Sequence, residues 1–536
     1  MPAVPPTTAP AAPSDRPDGP ERLLDLDTCA ALTARFTEHA YDVDAVVAAI
    51  GEPAHAALGR NATVPARLAL AGRDDPLATL TRLWLLQDRV PRRDLDRALP
   101  GLVPTLVDAG ILAVGPGEGE DDVVALVDLR PYASDDGASG WIASDLTPGL
   151  DTRVTPMRPD FVLGVSSASS TLAQMTVRSP VGRALDLGTG CGVQSLHLAR
   201  HAREVVATDL NPRALVLARL TADLDGVDVD LRQGDLYAPV AGERFDLVVT
   251  NPPYVLSPPT GERLTYREGT RTSDGLVEAV VRQGVEHLAE GGVLQVLANW
   301  AHVRGEGWTD RVGGWVPDGF DVHAVEREVL DPYAYVELWL ADAGLTGAPD
   351  YLERYTAWCA YFDELGIEGV GMGWLLVRRP GGSEPGSEPG AARRTGPAHR
   401  TLESWPYGVE QPVAPAFARE LEVVDAWRGA TADEVLDTAW TLAPDVVEET
   451  TGAPGANDPA SIVLRQQRGL RRAVALDTAS AGVLGACDGD LTLRTLVETV
   501  AGLLDVDAGP LAVELVERVR DLAVDGLLTA GPAAGR

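Results

Sequence analysis

Apolar runs too short to cross a core twice alternate with helical spacings through the middle of the chain. A partly apolar run at residues 183–186 is followed by a glycine turn and then by a helical pattern at 193–199. A second run, 204–207, ends near Asp209, and a third, through Val229 and Leu231, ends at Asp235. Further strands are expected at 293–297, 320–329 and 373–378. Strands that alternate with helices predict an open α/β sheet, which binds ligands at the carboxyl ends of its strands.

The flanks read differently. Before the sheet, 80–86, 95–99 and 102–112 predict three short helices and 122–129 a strand, the order of a winged-helix-like module. After it, 491–504 and 511–528 repeat helix, turn, helix and a short apolar tail. Both flanks run a helix into an acidic-glycine stop followed by leucine: Asp108-Ala-Gly110-Ile-Leu112 and Asp525-Gly526-Leu-Leu528. A Pro- and Ala-rich stretch opens the chain, and a repeated Ser-Glu-Pro-Gly follows Gly381. The expected organisation is a tail (1–20), an N-terminal helical domain (21–150), the α/β domain (151–380), a linker (381–400) and a C-terminal helical domain (401–536). A chain of 536 residues is too long for one core, which agrees with this division.

Between the strands at 320–329 and 373–378, residues 331–365 form an insert. It holds Tyr333, Tyr335, Trp339, Tyr351, Tyr355, Trp358, Tyr361 and Phe362 in a chain otherwise poor in aromatics. Tyr351, Tyr355, Trp358 and Phe362 share one helical face, predicted to pack on the sheet, with a lid over the ligand pocket as the alternative.

The chemistry lies at two motifs. In Asp186-Leu-Gly188-Thr-Gly190-Cys-Gly192, glycines at alternate positions let the backbone approach a ligand closely. A dinucleotide fingerprint needs another glycine where Val193 stands, so a nicotinamide or flavin is disfavoured. Asp209 is placed to accept from two ribose hydroxyls, and Asp235 to hold an adenine amine. Asn251-Pro252-Pro253-Tyr254 follows. The Asn251 side-chain oxygen and the Pro252 carbonyl can accept both hydrogens of a planar nitrogen and favour the pyramidal geometry that nucleophilic attack requires. Two successive prolines stiffen that loop, and Tyr254 offers a stacking face.

In order and spacing these motifs resemble those of the class I S-adenosylmethionine-dependent methyltransferases, and the last is similar to that of the HemK-type amino-methyltransferases and their nucleobase-modifying relatives. The resemblance covers roughly residues 155–380. It implies a Rossmann-like core with a mostly parallel seven-stranded sheet, S-adenosyl-L-methionine held by Asp186, Gly188, Gly190, Gly192, Asp209, Asp235 and Asn251, and catalysis at Asn251, Pro252, Pro253 and Tyr254. Where HemK-type enzymes carry a Pro-Glu-Thr-Glu-like segment, this chain has Gly164-Val-Ser-Ser-Ala-Ser-Ser170-Thr171-Leu172, with Thr171 expected to serve the cofactor.

The formal net charge of −34 disfavours broad binding to naked nucleic acid, because an acidic surface repels a polyanion and has few counterions to release. The expected acceptor is therefore a glutamine side chain of a translation factor or ribosomal protein. A base amine of ribosomal or transfer RNA is the alternative, and an idle cofactor-binding scaffold is the alternative of another class. All 45 basic residues are arginine, and the densest patch, Arg465 to Arg472, is expected to pair with acidic neighbours. His197 and His201 lie four apart on the helix after the glycine turn and are expected on a solvated face, with no metal. The four scattered cysteines show no metal spacing. No apolar run reaches membrane-spanning length, and a cytoplasmic location is expected.

Overall fold

The computed structural model describes residues 19–115, 121–153, 158–258, 272–381, 396–454 and 459–531. Most of the expected tail and linker lie outside them. One sheet of eight strands organises the molecule: β1 Val181–Leu187, β2 Ala202–Asp209, β3 Asp230–Gln233, β4 Phe245–Thr250, β5 Leu288–Val303, β6 Asp321–Leu330, β7 Ile367–Arg378 and β8 Arg400–Ser404. Their order is β8-β6-β7-β5-β4-β1-β2-β3. Strands β1 to β5 run parallel, whereas β7 is antiparallel to both neighbours. The chain starts at β1, moves out to β3 and returns to β4 on the other side, so the order reverses between β1 and β4. That reversal opens a crevice at the strand ends, where ligands of such sheets bind. Ala184, Leu185, Asp186 and Leu187 are all buried, as expected for a central parallel strand covered on both faces.

The eighth strand corrects the seven expected. Arg400–Ser404, divided by sequence between the end of the linker and the start of the C-terminal domain, pairs in parallel with β6 from Val322↔Arg400 to Glu326↔Ser404. Its five residues show no apolar run, because an edge strand is recruited through backbone hydrogen bonds that leave no trace in side-chain pattern.

The N-terminal part places helices at Pro76–Leu80 (continuing as a π turn to Leu85), Arg92–Ala98 and Val103–Asp108. The helix expected over 102–112 stops at Asp108, because Gly110 turns left-handed (φ 69°) and Leu112 begins a strand. The strand expected at 122–129 is two, Asp122–Ala125 and Asp128–Ala133. The first lies between Val90–Pro91 and Leu112–Gly115 in a three-stranded sheet. The C-terminal part repeats the stop: helix Ala508–Val524 ends, Gly526 turns left-handed (φ 78°) and Leu528–Ala530 forms a strand. Here the middle strand is Ala439–Leu442, which precedes the helices instead of following them.

Neither flank is independent of the sheet. Trp84, Leu83 and Ile142 share one hydrophobic core with Leu196, Leu217 and Leu220 of the helices behind the glycine turn. On the other side, helix Ala414–Trp427 docks on the sheet through ion pairs. Asp321 pairs with Arg428 at 2.6 Å, and Arg378 pairs with Asp425. His323, fully buried on β6, lies between Glu420 (2.7 Å) and Glu403 (2.9 Å), and Arg472 joins Glu403 to Asp525. Burial alone would lower the pKa of His323, but Glu420 and Glu403 outweigh it and raise it to about 9.

A group with a raised folded-state pKa contributes stability that is complete below its ordinary value, near 6.5, and is lost as pH rises through about 9. The contribution is on the order of 3 kcal/mol. Thermal unfolding followed from pH 6.5 to 9.5 is expected to show a falling midpoint in the wild type and a flatter profile in His323→Gln. Identical profiles would remove His323 from this role.

Candidate active site

β1 ends at Leu187 and the chain turns through three left-handed glycines: Gly188 (φ 74°), Gly190 (57°) and Gly192 (86°). They do different work. A Cβ on Gly192 would lie 3.3 Å from the Cα of Ala218, so this glycine lets helix Val193–Leu198 pack against helix Pro212–Leu224. A Cβ on Gly188 or Gly190 would meet no protein atom within 4 Å, and both residues line a cavity of about 330 Å³. Asp186 is buried beneath the turn and accepts from Thr189 Oγ1 and Ser195 Oγ, each at 2.7 Å. Burial pushes its pKa up to about 6 despite these two donors.

At the end of β2, the Asp209 carboxylate accepts from the Gly190 amide (2.9 Å) and the Asn211 amide (2.8 Å). Burial raises its pKa. Asn211 caps helix Pro212–Leu224 with Pro212 at its first position, which fixes where the strand-to-helix turn must run. Leu210 lies at the cavity with 51% of its surface exposed, and Leu236 lines it too. Exposed apolar side chains beside a polar turn suit the faces of a planar base. Asp235 is at the exposed rim.

Asn251, Pro252 and Pro253 follow β4 and line the same cavity. The Asn251 side-chain oxygen is buried and has no hydrogen-bond partner among the described residues. A buried acceptor left unmade costs about 1–3 kcal/mol, which marks a place where a donor is to be supplied. Tyr254 is not in the lining: its ring meets Trp339 edge-on at 6.2 Å. Thr171 is also displaced. It lies within helix Ser167–Met175, whose start is fixed by a capping box between Ser166 and Ser169, and those two serines reach the cavity with Gly164.

Residues 161–163, just before the Gly164 segment, also belong to the lining and carry no signal in the sequence. They are tied down through Asp145, whose carboxylate accepts from the Val162 amide (2.8 Å) and pairs with Arg213. No local motif announces such a strap.

The histidine pair is not solvated as expected. His197 is 2% exposed and its ring nitrogens meet Asp136 and the Tyr132 hydroxyl, each at 2.7 Å, because the hairpin Asp128–Ser144 covers that helix face. Among the described residues no group of three or more His, Cys, Asp or Glu is placed to hold a metal. No described helix is long and apolar enough to cross a membrane.

Residues 164–305 match the Methyltransferase small domain family, and residues 38–125 match a Domain of unknown function (DUF7059). Ribosomal RNA small subunit methyltransferase C of Salmonella arizonae is 30% identical over 176 residues, 32% of this chain and 45% of that protein. The Escherichia coli protein of the same name is 30% identical over 138 residues, 25% of this chain and 36% of its own length. The chain thus spans less than half of the curated relatives it matches. A solved 16S rRNA N2 G1207 methyltransferase of T. Thermophilus aligns at 21% identity, covering 37% of this chain and 53% of its own, with a TM-score of 0.24. The central domain is a class I methyltransferase domain with S-adenosylmethionine as its cofactor, and the open glycine turn, the Asp209 carboxylate and the flanking leucines fit that group.

Proposed function

We propose that the chain methylates an exocyclic amine of a base in ribosomal RNA, with S-adenosylmethionine as donor. The unpartnered Asn251 oxygen at the cavity carries the amine part of this reading. Glutamine of a translation protein, favoured by the acidic charge, offers the same two hydrogens to Asn251. The named relatives are ribosomal RNA methyltransferases, and that tips the choice to RNA.

Bound S-adenosylmethionine supplies an electrophilic methyl group. Asn251 and the Pro252 carbonyl accept the two amine hydrogens and draw the nitrogen lone pair out of conjugation, an interaction that strengthens toward the transition state. Pro252 and Pro253 carry no amide donor, so the loop presents acceptors and keeps its shape. A strong general base is unnecessary, because the nitrogen sheds its proton after attack.

We also read the flanks as a winged-helix pair, supported by the three-stranded sheets and the matching Gly110 and Gly526 stops. The C-terminal member is not read as a phosphate reader. Arg465 pairs with Glu449 and Arg472 is buried against Glu403 and Asp525, leaving Arg468 and Arg471 exposed.

The purified chain, incubated with methyl-labelled cofactor and ribosomal RNA or ribosomal subunits, is expected to put label into RNA, released by nuclease as an amino-methylated nucleoside. Label that resists nuclease, disappears with protease and maps to glutamine would replace this reading with the protein one.

A further inference from the structure

We infer that Tyr335, carried by the insert between β6 and β7, is a positioning residue that holds the Asn251 loop in its working conformation. The insert forms helices Pro332–Asp342 and Tyr351–Leu365. Tyr335, Val336, Leu340, Trp358 and Phe362 pack in one core with Val255 and Leu256, the two residues that follow Tyr254. The face expected to pack against the sheet therefore also packs against the loop that ends the motif.

Within that core Tyr335 is fully buried, and its hydroxyl oxygen accepts from the Leu256 amide at 3.1 Å and from Asn299 Nδ2, on β5, at 3.2 Å. One oxygen thus ties the loop to the sheet. One turn further along the same helix, Trp339 meets the Tyr254 ring at 6.2 Å and the Tyr335 ring at 6.0 Å. A loop whose prolines at 252 and 253 offer no amide to the surrounding backbone depends on side chains for its anchorage. The insert supplies that anchorage without entering the cavity, whose lining includes none of its residues. Tyr335 acts through Asn251 and touches neither cofactor nor acceptor, so this inference rests on the amine-methylating reading.

The experiment compares Tyr335→Phe, which removes one oxygen and keeps the ring, with Leu340→Ala, which loosens the same core but leaves the Tyr335 hydroxyl and its two hydrogen bonds in place. Tyr335→Phe is expected to lower turnover about ten- to hundredfold, the scale of misplacing a reacting group, with cofactor Kd unchanged. Amide hydrogen exchange over residues 251–258 should accelerate about tenfold, the effect of losing a hydrogen bond of about 1.4 kcal/mol. Leu340→Ala should lower the melting temperature and leave turnover intact at temperatures where it is folded. In the Asn251→Ala background, Tyr335→Phe should cause no further loss. Wild-type turnover and exchange in Tyr335→Phe overturn the inference, as does equal loss in folded Leu340→Ala or a loss that adds in full to that of Asn251→Ala. The exchange measurement needs no substrate: faster exchange with no label in RNA from the wild type would sink the proposed acceptor and leave the positioning role standing.

Discussion

Asn251→Ala is expected to lower methyl transfer by about two to three orders of magnitude, the scale of removing one acceptor that acts at the transition state. Cofactor affinity should change by no more than a few fold. The glycine turn, Asp209 and the leucine walls are unaltered by the substitution, and the oxygen it removes has no partner among the described residues. Its deletion therefore breaks no hydrogen bond among the described residues and should leave stability close to that of the wild type. Single-turnover kinetics at saturating cofactor, with cofactor Kd from calorimetry, separate the two effects. Near-normal turnover would show that Asn251 does not meet the reacting nitrogen, and the amine reading would lose its main support.

Asp209→Ala should weaken cofactor binding by roughly 1–3 kcal/mol, through loss of a charged acceptor for ribose hydroxyls. That corresponds to a factor of about 5 to 150 in Kd. The structure adds a second reason for the loss. The same carboxylate anchors the Gly190 and Asn211 amides, so its removal also frees the turn that receives the ligand. Asp209→Asn, which keeps one oxygen for the turn, should recover part of the affinity, whereas Asp235→Ala at the exposed rim should cost less. Calorimetry giving wild-type affinity for Asp209→Ala would mean that another residue grips the ribose.

Most of the residues singled out by motif, though distant in the chain, meet in the fold. Asp186, Gly188, Gly190, Asp209, Asp235, Asn251, Pro252 and Pro253 all line one cavity, whereas Gly192 is outside the lining. Gly192 proved to serve helix packing more than ligand approach, which spacing cannot distinguish, because both uses require a missing Cβ. Thr171 and Tyr254 lie outside that lining. Thr171 sits inside the helix that Ser166 caps, and the Tyr254 ring meets Trp339, placements that local motif spacing does not report.

By itself the sequence determined the strand-turn-helix order, the glycine turn and the Asn-Pro-Pro stiffening, since each follows from the φ range and side-chain chemistry of a few adjacent residues. It also marked the two flanking stops at Gly110 and Gly526, where a left-handed residue must end a helix. Only the tertiary structure decided that Arg400–Ser404 joins the sheet, that His197 is sealed by a hairpin, that residues 161–163 close the cavity, and that the aromatic insert grips the Asn251 loop. Each of these joins residues far apart in the chain, through backbone pairing or side-chain contact. Periodicity reports which face of an element is buried; it carries no information on what buries it.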